Sequence, residues 1–159
     1  LMAKFDMQLP DQVLKDFNRI YDNSDEILGG MTKAGAEVAE RNIRANAPSG
    51  IKQESEVMRR LKVSRTYKTP SDGAINTQAA FFYNNGDAYF TNKAGQRVAI
   101  PMLLNAYEYG KSQRRSTKAG ANRGIFPKHP FIRKSFRKAQ IEKAMLDAQK
   151  RLSGGLLDD

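Results

Sequence analysis

Ten lysine and arginine side chains between Tyr109 and Ile141 form the pattern of this 159-residue chain that best supports a binding chemistry. No acidic residue interrupts them, and they are Lys111, Arg114, Arg115, Lys118, Arg123, Lys128, Arg133, Lys134, Arg137 and Lys138. They account for the whole formal net charge of +10, because the other 17 basic residues balance the 17 acidic ones. Such a one-sided run favours partners with fixed negative charge, chiefly nucleic acid or acidic protein surfaces.

The first half of this run predicts a mobile basic loop at about 111–126, because it is rich in Ser, Gly, Lys and Arg and lacks periodicity. Its five cations are Lys111, Arg114, Arg115, Lys118 and Arg123. Three roles stay open: a solvated loop without a partner, docking onto an acidic protein surface, and contact with DNA phosphates. The missing aromatic residues argue against single-strand binding by the loop itself. We favour docking because the composition is free of acids.

Other candidate chemical groups are weak, so the sequence predicts no catalytic, cofactor-binding or metal-binding residues and no enzyme. His129 is the only histidine and has no carboxylate near it in sequence. Gly29-Gly30 lacks the Lys-Ser/Thr of a phosphate-binding loop, and Glu54 and Glu56 read as exposed neighbours on a strand face. The chain has no cysteine, which excludes disulfides and thiolate metal sites.

The chain contains no apolar run of about 18 residues, so no membrane partner is expected. Its first residues lack the apolar stretch of a secretion signal. Together with the absence of cysteine, this favours the cytosol.

The elements that must position the basic run begin with two helices. An apolar stripe that includes Val13, Phe17 and Tyr21 predicts a helix opening at Pro10-Asp11. A longer helix follows Asp22-Asn23-Ser24 and stops at Ala47-Pro48-Ser49-Gly50. Its small residues, Ala34, Gly35, Ala36 and Ala39, predict the close approach of another element.

The middle of the chain predicts strands and the rest predicts helices. Alternation predicts strands at Leu61–Val63 and at Ile75–Phe81, and a hairpin joins 88–91 to 97–100. Pro101 suits the first position of a short helix, predicted at Met102–Tyr107 and ended by Gly110. A last helix is predicted to open at Pro130 and to end near residue 152. The order predicts one α+β domain over 1–159 with frayed termini, a small antiparallel sheet, and the long C-terminal helix packed on that sheet.

Two short motifs carry a resemblance to a known family. Tyr107-Glu108-Tyr109-Gly110, a polar loop and then Pro130-Phe131-Ile132-Arg133 resemble the tail-completion, or head–tail joining, proteins of long-tailed phages and prophages. Upstream, Ala47-Pro48-Ser49-Gly50 and Met58-Arg59-Arg60-Leu61 resemble the family's Ala-Pro helix end and following strand. The long basic loop departs from the compact loop that the family often has.

We expect the motif residues to be mainly structural. Glu108 should cap or pair with a basic residue from the following loop, and Gly110 should supply a positive φ. Pro130 should set the first turn of the last helix, and Phe131 should anchor that helix in the core.

The resemblance implies a structural virion protein of the phage neck. It would form a ring, contact the head connector and the tail tube protein, and let DNA pass through its lumen. It would assemble in the host cytoplasm and reside in the virion. The alternatives are a small basic nucleic-acid-binding protein, motivated by the charge, and another minor tail component.

Overall fold

A computed structural model describes residues 10–84, 87–111 and 125–154 of the chain. Over these residues the architecture is α+β, as the sequence predicts. The helices are α1 (Asp11–Asp22), α2 (Ser24–Asn46), α3 (Ser49–Lys52), α4 (Ser55–Arg60), α5 (Ile100–Tyr109) and α6 (Lys138–Leu152), with a 3-10 turn at Arg133–Ser135 before α6. The strands are β1 (Leu61–Val63), β2 (Tyr67–Lys68), β3 (Ile75–Asn76), β4 (Ala79–Phe81), β5 (Tyr89–Thr91) and β6 (Arg97–Ala99).

Helix α2 is the central support of the fold because it contacts α6, the β1–β4 pair and the 3-10 turn. A Cβ atom added to Gly35 would lie 3.1 Å from both Ile141 Cγ2 and Met145 Cγ of α6. One added to Gly30 would lie 2.2 Å from Leu152 Cδ1. The predicted close approach is therefore confirmed, and the approaching element is α6. Helix α6 packs chiefly on α2, whereas the sequence predicts that it packs on the sheet. The small residues of α2 offer α6 a longer contact surface than the short strands do.

The strands form three separate antiparallel pairs, β1–β4, β2–β3 and β5–β6. The single strand predicted at Ile75–Phe81 is divided, because β3 pairs with β2 whereas β4 pairs with β1. The division falls at Thr77, whose hydroxyl lies 3.0 Å from that of Thr32 and 2.9 Å from that of Thr66. The predicted hairpin of β5 and β6 is confirmed, with Phe90 opposite Val98.

The hydrophobic core gathers residues from most of these elements around one end of α2. Its largest fully buried side chains include Ile43, Ile51, Leu61, Ile100 and Phe131. The strand position expected for Glu54 and Glu56 is wrong, since Glu54 is the N-cap of α4 and Glu56 lies in its first turn. Val57 of this helix is fully buried in the core, and Leu61, where the chain becomes extended, is buried beside it.

The approach to the last helix also differs from the prediction. Helix α6 begins at Lys138 and not at Pro130, because Phe131 turns into the core and the backbone leaves the helical region at Phe136 (φ −80°, ψ 72°). Side chains of α2 hold the intervening segment. Asn42 Nδ2 donates to the Ser135 carbonyl at 3.1 Å, and Asn46 Nδ2 donates to Ser135 Oγ at 3.0 Å.

Helix α1 forms where the sequence predicts it but does not enter the core. None of its residues is buried, and Phe17 and Tyr21 are 62% and 80% exposed. Its apolar stripe therefore faces solvent. Within the described ranges, none of the helices is long and apolar enough to cross a bilayer.

Candidate partner-binding site at the base of the basic loop

The C-terminal end of α5 places the first half of the motif beside the segment that follows the basic loop. Gly110 ends α5 with φ 74°, which confirms the predicted positive φ. A Cβ atom at this position would lie 2.9 Å from the Phe126 carbonyl oxygen and 3.1 Å from Lys128 N. The close return of the chain therefore requires glycine for conformation and for space.

The carboxylate of Glu108 joins the two halves of the motif. The side chain is buried, and its Oε1 accepts hydrogen bonds from the backbone N–H groups of Phe131 at 2.7 Å and Ile132 at 2.5 Å. Arg133 Nε donates to Oε2 at 3.2 Å, and Arg133 Nη2 donates to the Glu108 carbonyl at 3.2 Å. Glu108 therefore caps a backbone turn and pairs with a cation, as predicted. Its partner, Arg133, lies beyond the loop, because the turn at Phe131 brings the following residues back to α5.

The exposed part of this arrangement is an arginine stacked on a tyrosine. The guanidinium of Arg133 lies 4.8 Å from the centroid of the Tyr109 ring, which is 64% exposed. The Arg133 side chain is itself 58% exposed, even though it pairs with buried Glu108. Arg133 is therefore held by Glu108 on one side and by the Tyr109 ring on the other, with part of its side chain exposed.

Tyr107 links the same region to the Ala-Pro-Ser-Gly motif upstream. Its ring packs edge-on against Phe126, with centroids 5.0 Å apart and planes at 88°. A Cβ atom on Gly50 would lie 2.2 Å from Tyr107 Oη, so glycine at this position leaves room for the tyrosine. His129 N donates to the Tyr107 carbonyl at 2.7 Å. The structure thus brings three separate sequence motifs into contact.

The two ends of the basic loop are paired with each other. Lys111 N donates to the Phe126 carbonyl at 3.0 Å and Phe126 N donates to the Lys111 carbonyl at 3.1 Å, which makes an isolated antiparallel bridge. Of the five loop cations, Lys111 alone lies in the described part of the chain, at this bridge. Arg114, Arg115, Lys118 and Arg123, with the prediction of a mobile loop, lie outside the described residues, as do the termini expected to be frayed.

We call Tyr107, Glu108, Tyr109, Gly110, Pro130, Phe131 and Arg133 the motif cluster. Phe131 is 2% exposed and lies in the core, as predicted, whereas Pro130 precedes a 3-10 turn and not the last helix. The cluster fixes where the basic loop leaves and rejoins the fold. Among the described residues, His129 is exposed and no group of three or more His, Cys, Asp or Glu side chains could hold a metal ion.

A second charged surface, on the β1–β4 pair, has no counterpart in the sequence analysis. Arg60 Nη1 lies 2.6 Å from Asp87 Oδ2 there. The hydrogen bond from Arg60 holds the pKa of Asp87 below its ordinary value of 3.8, against the opposing effect of desolvation. Asp87 in turn raises the pKa of Arg60. Arg59, Lys62, Phe82 and Tyr83 border this ion pair. Strand pairing brings Arg60 and Lys62 beside Phe82. Arg59, Arg60 and Leu61 belong to the upstream motif, but that motif gives no sign of Asp87 as a partner.

Comparison with known proteins adds no relative: no family model matches the chain, and no curated protein or solved structure matches it.

Proposed function

We propose that this protein is a structural virion protein of the neck of a long-tailed phage or prophage, where it completes the tail end and joins it to the head connector. The resemblance of the motif cluster to tail-completion proteins supplies this class. The geometry of the cluster supports the expected structural role, because Glu108 of the first motif half binds residues of the second half. In this proposal the subunits form a ring, contact the head connector and the tail tube protein, and surround the passing DNA.

The structural observation that carries the assembly part of the proposal is the exposed apolar stripe of α1. Leu14, Phe17 and Tyr21 are 45%, 62% and 80% exposed, and all lie on one face of the helix. Contiguous apolar surface of this kind marks protein–protein interaction sites. We assign this stripe to contact with a second copy of the chain.

A surface suited to receive that stripe lies elsewhere on the same molecule. An apolar groove of about 240 Å³ is bordered by Gly35 and Ala39 of α2, by Ile141 and Met145 of α6, and by Phe136. Donor helix and receiving groove are different surfaces, so their contact would be heterologous. Repetition of such a contact around a closed axis produces a ring.

The basic loop contributes a second contact in this proposal. Its ends are fixed at the Lys111–Phe126 bridge, next to the exposed Arg133–Tyr109 pair. We propose that the loop docks onto an acidic surface of the connector or of a neighbouring subunit. Its cations and Arg133 would then contact the partner together.

Deletion of the reading frame from the phage that encodes it tests the function. Electron microscopy of the lysate should show DNA-filled heads beside separate tails. Filled heads beside abnormally long tails would place the protein in tail termination, as another minor tail component. Intact virions would overturn the proposal.

Complementation of that deletion tests the surfaces. The double variant Phe17→Ser, Tyr21→Ser should fold normally, because both side chains are exposed, and should fail to restore infectious particles. Replacement of Arg114, Arg115, Lys118 and Arg123 by serine should fail in the same way. Leu146→Ser is the matched control, since Leu146 is 54% exposed on α6 and does not border the groove. Full complementation by the α1 variant would exclude the stripe as an essential contact.

A small nucleic-acid-binding protein remains the second candidate function, supported by the net charge of +10. The two functions differ in the affinity they require. A dedicated binder should hold nucleic acid at physiological salt, whereas an assembly protein should lose a weak association as salt rises.

A further inference from the structure

The outer face of the β1–β4 pair combines exposed basic side chains with exposed aromatic rings. β1 and β4 are antiparallel, with Leu61 opposite Phe81 and Lys62 opposite Ala80. Leu61 is fully buried and Phe81 packs against the core, so alternate residues of both strands face away from it. The pairing continues beyond the strands, because Phe82 N donates to the Arg60 carbonyl at 2.8 Å. Lys62, Ala80 and Phe82 therefore share the outward face.

Two adjoining grooves cover this face. One, of about 320 Å³, is bordered by Arg59, Lys62, Phe82 and Tyr83. The other, of about 590 Å³, is bordered by Lys62, Arg65, Tyr67 and Phe82. Lys62 and Phe82 belong to both, so the grooves form one continuous surface. We call it the aromatic–basic face and define it by Arg59, Lys62, Arg65, Tyr67, Phe82 and Tyr83.

The charge of this face is available to a ligand. Three cations of this face are exposed: Arg59, Lys62 and Arg65. In the described part of the chain, none of them forms an ion pair with a carboxylate. The acid that borders this face, Asp87, is paired with Arg60. The cations thus leave an excess of positive charge beside the rings.

The rings are accessible, and one of them is held in place. Tyr67, Phe82 and Tyr83 are 38%, 38% and 42% exposed. Gln78 Nε2 donates to Tyr67 Oη at 2.8 Å, which fixes the tyrosine over the outward face.

We propose that the aromatic–basic face binds single-stranded nucleic acid. Cations that follow a phosphate backbone, beside aromatic rings on which unpaired bases stack, are the combination that single-strand-binding surfaces use. Paired bases in a duplex do not expose their faces to such rings, so the rings favour a single strand over a duplex. The inference rests on this surface alone and is independent of the proposed role in a phage neck.

Fluorescence anisotropy with a labelled oligodeoxythymidylate tests the proposal, at a length of about 12 nucleotides, which lies within known site sizes. The intact chain should bind the strand, and a duplex of equal length should compete poorly. Phe82→Ala and Tyr83→Ala should each weaken binding about tenfold. Lys62→Ser combined with Arg65→Ser should also lower the slope of log K against log salt by about 0.7 for each phosphate that the variant no longer neutralises.

Matched controls separate this face from general charge and general aromatic exposure. Tyr89→Ala removes a ring that is 44% exposed on β5 and borders neither groove, and Lys143→Ser removes an exposed cation of α6. Both should bind as the intact chain does, with all variants checked for folding by circular dichroism.

Unchanged binding by the Phe82 and Tyr83 variants, equal binding of duplex, or no binding at low salt would each overturn the proposal. Loss of binding only on replacement of the loop cations would assign the nucleic acid to the loop. None of these outcomes bears on head–tail joining, which the phage deletion measures separately.

Discussion

At the scale of single residues, the Glu108 side chain connects α5 to the segment that follows the basic loop. Its carboxylate accepts hydrogen bonds from two consecutive backbone N–H groups and from a guanidinium, although the side chain is only 6% exposed. Burial of a carboxylate is unfavourable unless such donors replace water. The three donors come from the segment that follows the loop, so Glu108 determines where that segment lies.

We therefore expect Glu108→Ala to destabilise the fold by about 3 kcal/mol, because it leaves two backbone donors and one arginine without their acceptor. Glu108→Gln keeps an acceptor oxygen and should cost only about 1 kcal/mol. Urea unfolding of the two variants and the intact chain measures both values. A loss below about 0.5 kcal/mol for the alanine variant would show that the contacts contribute little.

At the scale of elements, the sequence predicts what short-range patterns determine. Turn residues and periodicity within a few positions determine the β5–β6 hairpin, the stop of α5 at Gly110 and the starts of α1 and α2. The division of the strand predicted at 75–81 depends on pairing with two different partners. The late start of α6 depends on Asn42 and Asn46, far away in the sequence.

In the candidate site, too, the sequence predicts only what short-range patterns determine. The motif residues are identifiable from sequence, and so is the need of Glu108 for a cation. That this cation is Arg133 cannot be predicted from the sequence, because the pairing depends on how the chain returns after the loop. The aromatic–basic face leaves no sequence signal, since strand pairing alone brings Lys62 beside Phe82.

Two glycines with nearly the same positive φ allow a test at the end of α5. Gly110 and Gly95 have φ values of 74° and 75°, but only Gly110 has neighbours within 4 Å of an added Cβ. Gly95→Ala should cost about 1 kcal/mol for the left-handed conformation alone. Gly110→Ala should cost about 2 kcal/mol more, because φ 74° with ψ 174° is a conformation that essentially only glycine adopts and because the methyl group displaces the Phe126 carbonyl. Equal losses in thermal unfolding would contradict the role assigned to the close return of the chain.

At the scale of the whole molecule, α2 makes one unit of parts that are distant in sequence. It contacts α6 through Gly35, the β1–β4 pair through its buried face, and the 3-10 turn through Asn42. The core likewise draws Ile43, Leu61, Ile100 and Phe131 from different regions. A single domain over 1–159, as the sequence predicts, can be tested by unfolding.

Unfolding should accordingly occur in one cooperative transition. Far-ultraviolet circular dichroism and tyrosine fluorescence should give the same denaturant midpoint, because the helices and the tyrosine-bearing regions share one core. The α1 helix is the exception we expect, since none of its residues is buried and its ellipticity should fade earlier. Two well-separated transitions that divide α6 from the strands would show independent units.

The bridge between Lys111 and Phe126 makes the interval between them an insert with its own boundaries. Because the bridge fixes both ends, the fold is insulated from the length and composition of what joins them. Closure of a chain segment costs only about 0.6 kcal/mol more for each doubling of its length. A peptide tag, a fluorescent label or the corresponding stretch of another protein can therefore be exchanged at this place, and the recognition properties of the molecule can change while its scaffold does not.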